Sequence, residues 1–378
     1  MNKIINIGQK ESKWSEEWKS ITPETEIRMW DYYGGRQYIT KYVPRFGKVL
    51  EAGCGLGRYV FYLSRFGINI EGLEFSKETI EYLRKWQNKY GFNKKFVIGD
   101  VTNLPYEDNS LRGYISLGVV EHFIEGPNRP IKEAFRVLEP GGIAIITTPS
   151  LSWNVIKNRT FKEIKNILKK IIGYKKQNEV FFQYEYRPKK LKNFIENCGL
   201  KVTLYDNCDL LYSFLEFYNF NEEKIKPDTL PFWFSNKFEK TFLRALGSQS
   251  ITVSVKVAEK MYCFFCGNFS ANKDSLKYYS VPVCSECNAL EISKFYKYGI
   301  FPSYAAKYIF NPPIKKPTEE VCEISGEKYL TDELFEDFGF TIKVSPEILK
   351  KPVVNILLSN KHIQPIWRNR KRYFNKWD

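Results

Sequence analysis

The sequence predicts an α/β protein with a mostly parallel sheet, followed by a small cysteine-rich C-terminal domain. Two observations lead to this fold class. Strand-like segments alternate with helical spacing over roughly the first 150 residues, and two CxxC pairs lie close together after residue 260. A chain of 378 residues is long enough for two hydrophobic cores. We therefore predict a first domain of residues 1–259 and a second of residues 260–378.

The alternation of strand and helix signals is the basis for the parallel sheet. A helix with an apolar stripe is expected after the first strand, and a second one is expected from Lys77 to about Tyr90. A further helix and two strands follow after residue 190. The first five predicted strands are Lys48–Ala52, Ile68–Leu73, Lys95–Gly99, Gly113–Leu117 and Gly142–Thr148.

Two insertions, of about residues 150–192 and 207–248, are predicted to form lids on the first domain. In the first, residues 161–172 carry apolar side chains at helical spacing with lysines on the other side. Between Lys157 and Lys192 there are twelve Lys or Arg residues and three acids. This basic helix is typical of an ordinary packed surface helix, and a membrane surface or the roof of an active site are the alternatives.

Composition limits the class of protein. The net charge is +15, a balance that fits a solubilising surface and also fits contact with nucleic acid or another anionic partner. No apolar run approaches the roughly 18 residues of a membrane span, and the N-terminus lacks the apolar core of a signal peptide. We expect a cytoplasmic protein without a membrane span. The sequence leaves its oligomeric state open.

A glycine-rich loop, VLEAGCGLGR, joins the first strand of the sheet to its first helix. Gly53, Gly55 and Gly57 allow the backbone to approach a ligand closely and to direct amide groups at it, and Cys54 lies between two of them. A dinucleotide fingerprint would require a third glycine at position 58, which is Arg58. With Glu51 ahead of it, the loop better suits a ligand with an amino-acid ammonium group and no pyrophosphate.

Two further acids follow the next two strands. Glu74 lies 23 residues after the first acid of the loop, a position suited to accept hydrogen bonds from ribose hydroxyls. After the third strand, Asp100 is placed to accept from an adenine amino group, with Val101 packing against the ring. Open α/β sheets bind ligands at these carboxyl strand ends.

These motifs resemble those of class I methyltransferases of the broad type-11 group, over roughly residues 47–149. VLEAGCGLGR is similar to the first motif of the family, IEGLEFS to its ribose motif, and IGDVTNLPYEDNSLRGYISLGVVEHF to its adenine segment and fourth strand. The resemblance implies a Rossmann-like seven-stranded sheet with an antiparallel last strand, and S-adenosylmethionine (SAM) as the methyl donor. It adds Phe75 and Leu117, which lie in these motifs, to the expected cofactor contacts.

Residues around the end of the fourth strand are candidates for catalysis. Glu121 and His122 form the best-placed acid–base pair, and packing of His122 over SAM is an equally weighted alternative. The residue three before the pair, where some relatives have a metal-binding Glu, is Gly118, which argues against a catalytic metal. Near the N-terminus, Arg36 and the aromatic residues before it are candidates to fold over the methionine end of SAM, or to form the core of a leading helix.

The cysteine-rich region predicts a structural zinc site. Cys263 and Cys266 are followed, after 17 residues, by Cys284 and Cys287, which is the spacing of tetrahedral thiolate sites, with a redox dithiol as the alternative. YCFFCG with VPVCSECN resembles the zinc-binding part of HNH-type treble-clef modules. The catalytic histidine of those nucleases is absent from LKYYSVPVC, so nuclease activity is not implied.

The leading hypothesis is a SAM-dependent methyltransferase that acts on a small-molecule or glycan acceptor, at oxygen. One alternative is a nucleic-acid (RNA) methyltransferase that uses the zinc module and the basic lid for binding. Another is a SAM-binding protein without catalytic activity. The sequence does not identify the acceptor.

Overall fold

A computed structural model describes residues 2–7, 21, 33–44, 47–64, 68–90, 95–151, 179–210, 212–213, 238, 241–264, 267–289, 319–321, 328–330, 335–337 and 340–344. The predicted basic helix at 161–172, most of both predicted lids, Cys266 and residues 345–378 lie outside these ranges. Within the described ranges, no helix combines the length and the apolar character that a segment crossing a bilayer needs.

The first domain begins with a short strand and continues into alternating helices and strands. Its elements up to residue 149 are β1 (Asn2–Ile7), α1 (Arg36–Tyr42), β2 (Val49–Ala52), α2 (Arg58–Ser64), β3 (Ile70–Glu74), α3 (Lys77–Tyr90), β4 (Phe96–Ile98), β5 (Leu111–Leu117), a 3-10 turn (Val120–His122), α4 (Asn128–Val137) and β6 (Leu138–Pro149). The five predicted strands are all present, with ends shifted by a few residues.

The remaining described elements complete the sheet and form the cysteine-rich region. They are β7 (Glu179–Glu185), α5 (Pro188–Asn197), β8 (Lys201–Cys208), a 3-10 turn (Phe242–Leu246), β9 (Gln249–Val255), β10 (Met261–Tyr262), β11 (Phe269–Ala271), α6 (Leu276–Tyr279) and α7 (Ser285–Ala289). Four short strands follow as two antiparallel pairs: β12 (Glu319–Val321) with β13 (Lys328–Leu330), and β14 (Phe335–Asp337) with β15 (Phe340–Val344).

The main sheet has seven strands in the order β4-β3-β2-β5-β6-β9-β8. Only β9 runs antiparallel to the other six. The strand order reverses beside β2, so the carboxyl ends of β2, β3 and β5 meet at one edge, where ligands of open α/β sheets bind. This topology confirms the predicted Rossmann-like α/β fold and its antiparallel last strand.

Two strands outside the large sheet form a separate ribbon. β1 pairs antiparallel with β7, and neither strand pairs with the seven-stranded sheet. The ribbon contacts the turn after β5, because Phe182 lies against His122. Within the ribbon, the rings of Phe181 and Tyr184 lie 4.8 Å apart in a tilted arrangement.

The hydrophobic core lies on both faces of the sheet. One face packs under α1, α2 and α3, and the other packs under α4 and α5. The core of the first face continues into the cysteine-rich region, because Met261, Phe264 and Val281 belong to the same buried cluster as Ile143 and Val255. Residues 261–289 therefore pack directly against the sheet. The boundary at residue 259 stays a prediction.

Candidate functional site

The glycine loop between β2 and α2 has a backbone that only glycine adopts readily. Gly53, Gly55 and Gly57 have φ values of +73°, +51° and +70°. A Cβ atom on Gly53 would lie 2.6 Å from Val119 Cγ2, and one on Gly57 would lie 2.7 Å from Phe96 Cε1. The loop is therefore packed tightly against residues that follow β5 and begin β4. All three glycines are placed where the sequence predicted a close approach to the cofactor.

Glu51, the first acid of the loop motif, is buried and directed at the helix. Its Oε2 accepts a hydrogen bond from the amide of Val60 at 2.9 Å, in the first turn of α2. A carboxylate at this position satisfies a free amide and interacts favourably with the positive end of the helix. The contact of Glu51 with a ligand ammonium group stays a prediction. Its hydrogen bond with Val60 connects strand β2 to helix α2.

Cys54 is buried inside the same loop and points away from solvent. Its Sγ lies 3.8 Å from the carbonyl oxygen of Gly55, and a Cβ on Gly72 would lie 2.8 Å from that sulfur. Burial raises the pKa of the Cys54 thiol well above its ordinary value, and the carboxylates of Glu51 and Glu74 raise it further. The thiol is therefore neutral and acts as a small packing group beneath the loop.

Glu74, at the end of β3, connects that strand to the glycine loop. Its Oε2 accepts from the amide of Gly55 at 3.0 Å, and its Oε1 accepts from the amides of Phe75 and Ser76 at 3.0 and 3.2 Å. Burial raises the pKa of Glu74, and these three hydrogen bonds lower it. Because a carboxylate oxygen can accept two hydrogen bonds, Oε2, which accepts only one, remains able to accept from a ligand.

Phe75 and Asp100 lie near Glu74 at the carboxyl edge of the sheet, where one is apolar and the other acidic. The Phe75 side chain is 55% exposed, although it is a large aromatic residue. Asp100 is exposed at the end of β4, and its Oδ1 accepts from the amide of Thr102 at 2.8 Å. Its Oδ2 has no hydrogen-bond partner among the residues that the structure describes. Val101 is buried beside Leu104, in the core rather than at the surface.

Leu117 and Arg36 approach this edge from two other elements. Leu117 ends β5, is half-buried and packs on the core cluster, and the next residue, Gly118, has a φ of +69°. Arg36 begins α1, and its amide donates to the carbonyl oxygen of Tyr33 at 3.0 Å. The Tyr33 ring lies 6.0 Å from that of Tyr59 in an edge-to-face arrangement. Trp30, Asp31 and Tyr32 lie outside the described residues.

His122 lies in the 3-10 turn after β5 and is held by the β1–β7 ribbon. Its Nδ1 is 2.9 Å from the carbonyl oxygen of Phe182, and the two rings meet edge to face at 5.1 Å. A carbonyl only accepts, so Nδ1 carries the hydrogen and a neutral imidazole has its lone pair on Nε2. Burial lowers the pKa of His122, and contacts with the carbonyls of Phe182 and Gly118 raise it, with a net shift downward.

Glu121 has a very different environment from its neighbour. Its side chain is 1% exposed, compared with 24% for His122, and its Oε1 lies 3.9 Å from His122 Nε2. Its Oε2 has no hydrogen-bond partner within the described part of the chain. Burial raises the pKa of Glu121 to about 8. The two predicted catalytic residues are thus adjacent, and burial favours the uncharged form of each.

The ribbon residues that hold this turn were missing from the sequence-based candidates. Phe182 supplies the carbonyl that orients His122, and the Tyr184 hydroxyl donates to the carbonyl oxygen of Ile124 at 2.8 Å. Nothing local in either segment indicates that residues 179–185 pair with residues 2–7.

Three of the four predicted zinc ligands lie together. The Sγ atoms of Cys263, Cys284 and Cys287 lie within 4.8 Å of one another, and all three residues are buried. The amide of Cys284 lies 3.4 Å from Cys263 Sγ, and that of Cys287 lies 3.4 Å from Cys284 Sγ. Amide hydrogens directed at sulfur stabilise thiolates, and thiolates are the metal-binding form of cysteine. Cys266 lies outside the described residues.

Arg112 attaches the cysteine cluster to the sheet, at the edge opposite the glycine loop. This residue is near the amino end of β5 and its side chain is 3% exposed. Nη2 donates to the carbonyl oxygen of Cys263 at 2.8 Å, and Nη1 lies 3.1 Å from Glu139 Oε1. The Tyr262 ring lies 4.9 Å from the guanidinium carbon. The cluster is therefore distant from the turn Val120–His122, which fits a structural role.

Comparison with known proteins finds a family match within the first half of the chain. Residues 50–146 match the family model described as "Methyltransferase domain". This segment includes the glycine loop, Glu74, Asp100 and the Glu121–His122 pair. The prediction of a SAM-dependent methyltransferase is confirmed by this match and by the relatives named as methyltransferases.

Several curated methyltransferases are similar to this chain. The demethylmenaquinone methyltransferase of Chlorobaculum tepidum is 28% identical over 169 residues, which are 42% of this chain and 67% of the relative. The corresponding protein of Chlorobaculum parvum is 31% identical over 149 residues, 39% of this chain and 59% of the relative. Norajmaline N-methyltransferase of Rauvolfia serpentina is 28% identical over 127 residues, 32% of this chain and 43% of the relative. The chain thus spans between two fifths and two thirds of these relatives.

Two solved structures illustrate the structural matches. A SAM-dependent methyltransferase from Methanosarcina mazei is 17% identical with a TM-score of 0.43, over 59% of this chain and 98% of that one. Geranyl diphosphate C-methyltransferase from Streptomyces coelicolor is 15% identical with a TM-score of 0.38, over 58% of this chain and 78% of that one.

Proposed function

We propose that this chain transfers the methyl group of SAM to an oxygen atom of a small-molecule or carbohydrate-like acceptor, with His122 as the base. The observation that carries the proposal is the position of His122 Nε2. It lies after β5, at the same sheet edge as the glycine loop, with Nδ1 held by the Phe182 carbonyl. A hydroxyl acceptor must lose a proton, and a neutral imidazole near physiological pH can accept it.

The residues at the carboxyl edge fit SAM as the cofactor. The glycine loop allows the backbone to approach the methionine part of SAM closely. Glu74 has its Oε2 at the loop for a ribose hydroxyl, and Asp100 has an unpaired oxygen, among the described residues, for the adenine amino group. The exposed ring of Phe75 supplies an apolar surface for the nucleoside. The other residues of the proposed site are Gly53, Gly55, Gly57, Val101 and Leu117. Glu51 and Cys54 contact the loop from its buried side. Arg36 lies beside the site.

The chemistry divides between the cofactor and this chain. Bound SAM supplies an electrophilic methyl group on a sulfonium, and proximity and alignment provide most of the acceleration of such a transfer. His122 Nε2 takes the proton of the acceptor hydroxyl as that oxygen attacks, and Phe182 keeps the imidazole in the required tautomer. Two of the relatives are a demethylmenaquinone methyltransferase and a norajmaline N-methyltransferase, which supports a small acceptor.

A label-transfer experiment tests the proposed acceptor class. The full chain is incubated with SAM that carries a tritiated methyl group and, separately, with the metabolite and RNA fractions of cells that produce the protein. We expect label in the metabolite fraction, and at least a tenfold lower rate for His122→Gln, because a positioned base contributes about 10²- to 10⁴-fold. Label in the RNA fraction favours the nucleic-acid alternative, and binding of SAM without any turnover favours a protein that only binds the cofactor.

We propose further that Cys263, Cys266, Cys284 and Cys287 bind one structural zinc ion, and that the protein works in the reducing cytoplasm. The three described thiols are close enough to share one ion, and the two N–H···S contacts are directed at the expected ligands. Metal analysis of the purified chain should find one zinc per chain, and less than half of that in Cys284→Ser. Full occupancy in both Cys284→Ser and Cys287→Ser would reject this ligand set.

A further inference from the structure

The side chain of Glu121 is buried in an unusual way for an acid beside a candidate base. It is 1% exposed, and Oε2 has no hydrogen-bond partner among the residues that the structure describes. The nearest basic group in the same set of residues is His122 itself, at 3.9 Å. A buried carboxylate with an unpaired oxygen and no cation in contact is strongly disfavoured relative to the neutral acid.

The elements packed around Glu121 do not supply a compensating charge. On its own turn, the titratable neighbour of Glu121 is His122. On the side of β5, the backbone of Gly118 lies near Oε1. Where β7 leads into α5, the neighbour is Tyr186, 1% exposed, whose hydroxyl has no described hydrogen-bond partner either. Among the described residues, the surroundings of Glu121 are therefore uncharged when His122 is neutral.

We propose that Glu121 is an uncharged carboxylic acid beside His122, and that it is not a carboxylate partner of the imidazole. An ionised carboxylate 3.9 Å from Nε2 would favour protonation of the ring there, and a protonated ring cannot accept a proton. The neutral acid does not favour protonation of the ring.

This inference rests on the proposed function for the role of His122, but the charge of Glu121 does not depend on any acceptor. At pH values between the lowered pKa of His122 and the pKa of about 8 of Glu121, the two side chains hold one titratable proton. The burial of Glu121 and its unpaired Oε2 assign that proton to Glu121. The dyad is therefore neutral on both side chains at pH 7. A carboxylate partner would instead give an imidazolium–carboxylate pair.

Nuclear magnetic resonance of the imidazole protons distinguishes the two arrangements. The chain contains only two histidines, so His122→Gln assigns the signal of His122 directly. The His122 signal is titrated in the wild type, in Glu121→Gln and in the control Glu125→Gln, which changes an exposed acid on the same segment. We expect the His122 pKa to change by less than about 0.5 unit in Glu121→Gln, because a neutral acid is replaced by a neutral amide. A fall of about one unit or more in Glu121→Gln alone would overturn the proposal.

Measurements on the wild type keep the proposal testable if Glu121→Gln does not fold. An uncharged Glu121 predicts a His122 pKa below the ordinary value of about 6.5, and a carboxylate neighbour predicts a value above it. A value above 6.5 in the wild type would reject the neutral acid. Titration of the wild type with S-adenosylhomocysteine separates the two proposals. Absence of binding would contradict the proposed function, and it would not bear on the charge of Glu121.

Discussion

Glu74 accepts a hydrogen bond from the amide of Gly55 at 3.0 Å, which joins the acid at the end of β3 to the centre of the glycine loop. With the amides of Phe75 and Ser76 on its other oxygen, this carboxylate is oriented by three donors before any ligand binds. Such preorganisation removes part of the ordering cost of cofactor binding. Glu74 therefore both shapes the loop and presents the acceptor atoms expected for the ribose.

We predict that Glu74→Gln weakens binding of S-adenosylhomocysteine about tenfold or more. The amide replaces one acceptor oxygen with a donor group that faces a backbone N–H, and a hydrogen bond to a charged group contributes about 1.5–3 kcal/mol. Isothermal titration calorimetry measures the change. Glu81→Gln, at an exposed position on α3, is the control and should bind like the wild type. Equal affinity in both variants would show that Glu74 has no part in the cofactor site.

Gly53 should tolerate no side chain. An alanine there would need a φ of +73° and would place its Cβ 2.6 Å from Val119 Cγ2, so we expect Gly53→Ala to lose about 2–4 kcal/mol of unfolding free energy from strain and overpacking. Gly126 is the matched control, because its φ of +93° is also positive but nothing lies within 4 Å of the added Cβ. Denaturant unfolding should show a clearly smaller loss for Gly126→Ala. Similar losses would mean that backbone strain alone decides the outcome.

The pKa of Glu121 predicts a pH dependence of stability. Its folded pKa of about 8 lies above the ordinary value of 4.5, so folding takes up a proton between these pH values and stability falls as pH rises through that window. Glu121→Gln removes this dependence. We expect the variant to gain stability relative to the wild type from pH 5 to pH 8, by up to about 1.4 kcal/mol per pH unit. Thermal unfolding at both pH values measures it, and a constant difference would contradict the raised pKa.

Arg112 should link the cysteine cluster to the stability of the whole domain. Arg112→Met removes the contacts with the Cys263 carbonyl and with Glu139, and leaves Glu139 without its partner, so we expect a loss of about 2–4 kcal/mol in unfolding free energy. Lys277→Met, which removes an exposed pair with Asp274, should cost less than about 0.5 kcal/mol. Because Arg112 is at the opposite edge from the glycine loop, folded Arg112→Met should keep its affinity for S-adenosylhomocysteine. A large loss of affinity would contradict this placement.

The sequence predicted those parts of the molecule that depend on local patterns. The helix Lys77–Tyr90, the glycine turn and the carboxyl-end positions of Glu74 and Asp100 follow from periodicity, glycine spacing and strand ends. Contacts that join distant segments were not predictable in this way. The pairing of β1 with β7 and the contact of Arg112 with Cys263 depend on tertiary packing, which leaves no signal in either segment alone.

The roles of individual acids also depend on burial, which one sequence does not show. Glu51 and Glu121 are both acids next to expected ligand-binding residues. Glu51 satisfies the amide of Val60 at a helix start, whereas Glu121 is enclosed without a charged partner among the described residues. The same residue type thus acts as a helix anchor in one place and as a neutral acid in the other.

The most direct test of the account is calorimetric titration of the full chain with S-adenosylhomocysteine. It is performed on the wild type, on Asp100→Ala and on Glu107→Ala, an exposed acid seven residues later that serves as the control. We predict that the wild type and Glu107→Ala bind one molecule per chain with equal affinity. Asp100→Ala should bind about tenfold more weakly, because it loses the acceptor for the adenine amino group. Absence of binding to the wild type, or equal affinity in all three proteins, would contradict a SAM site at this edge of the sheet.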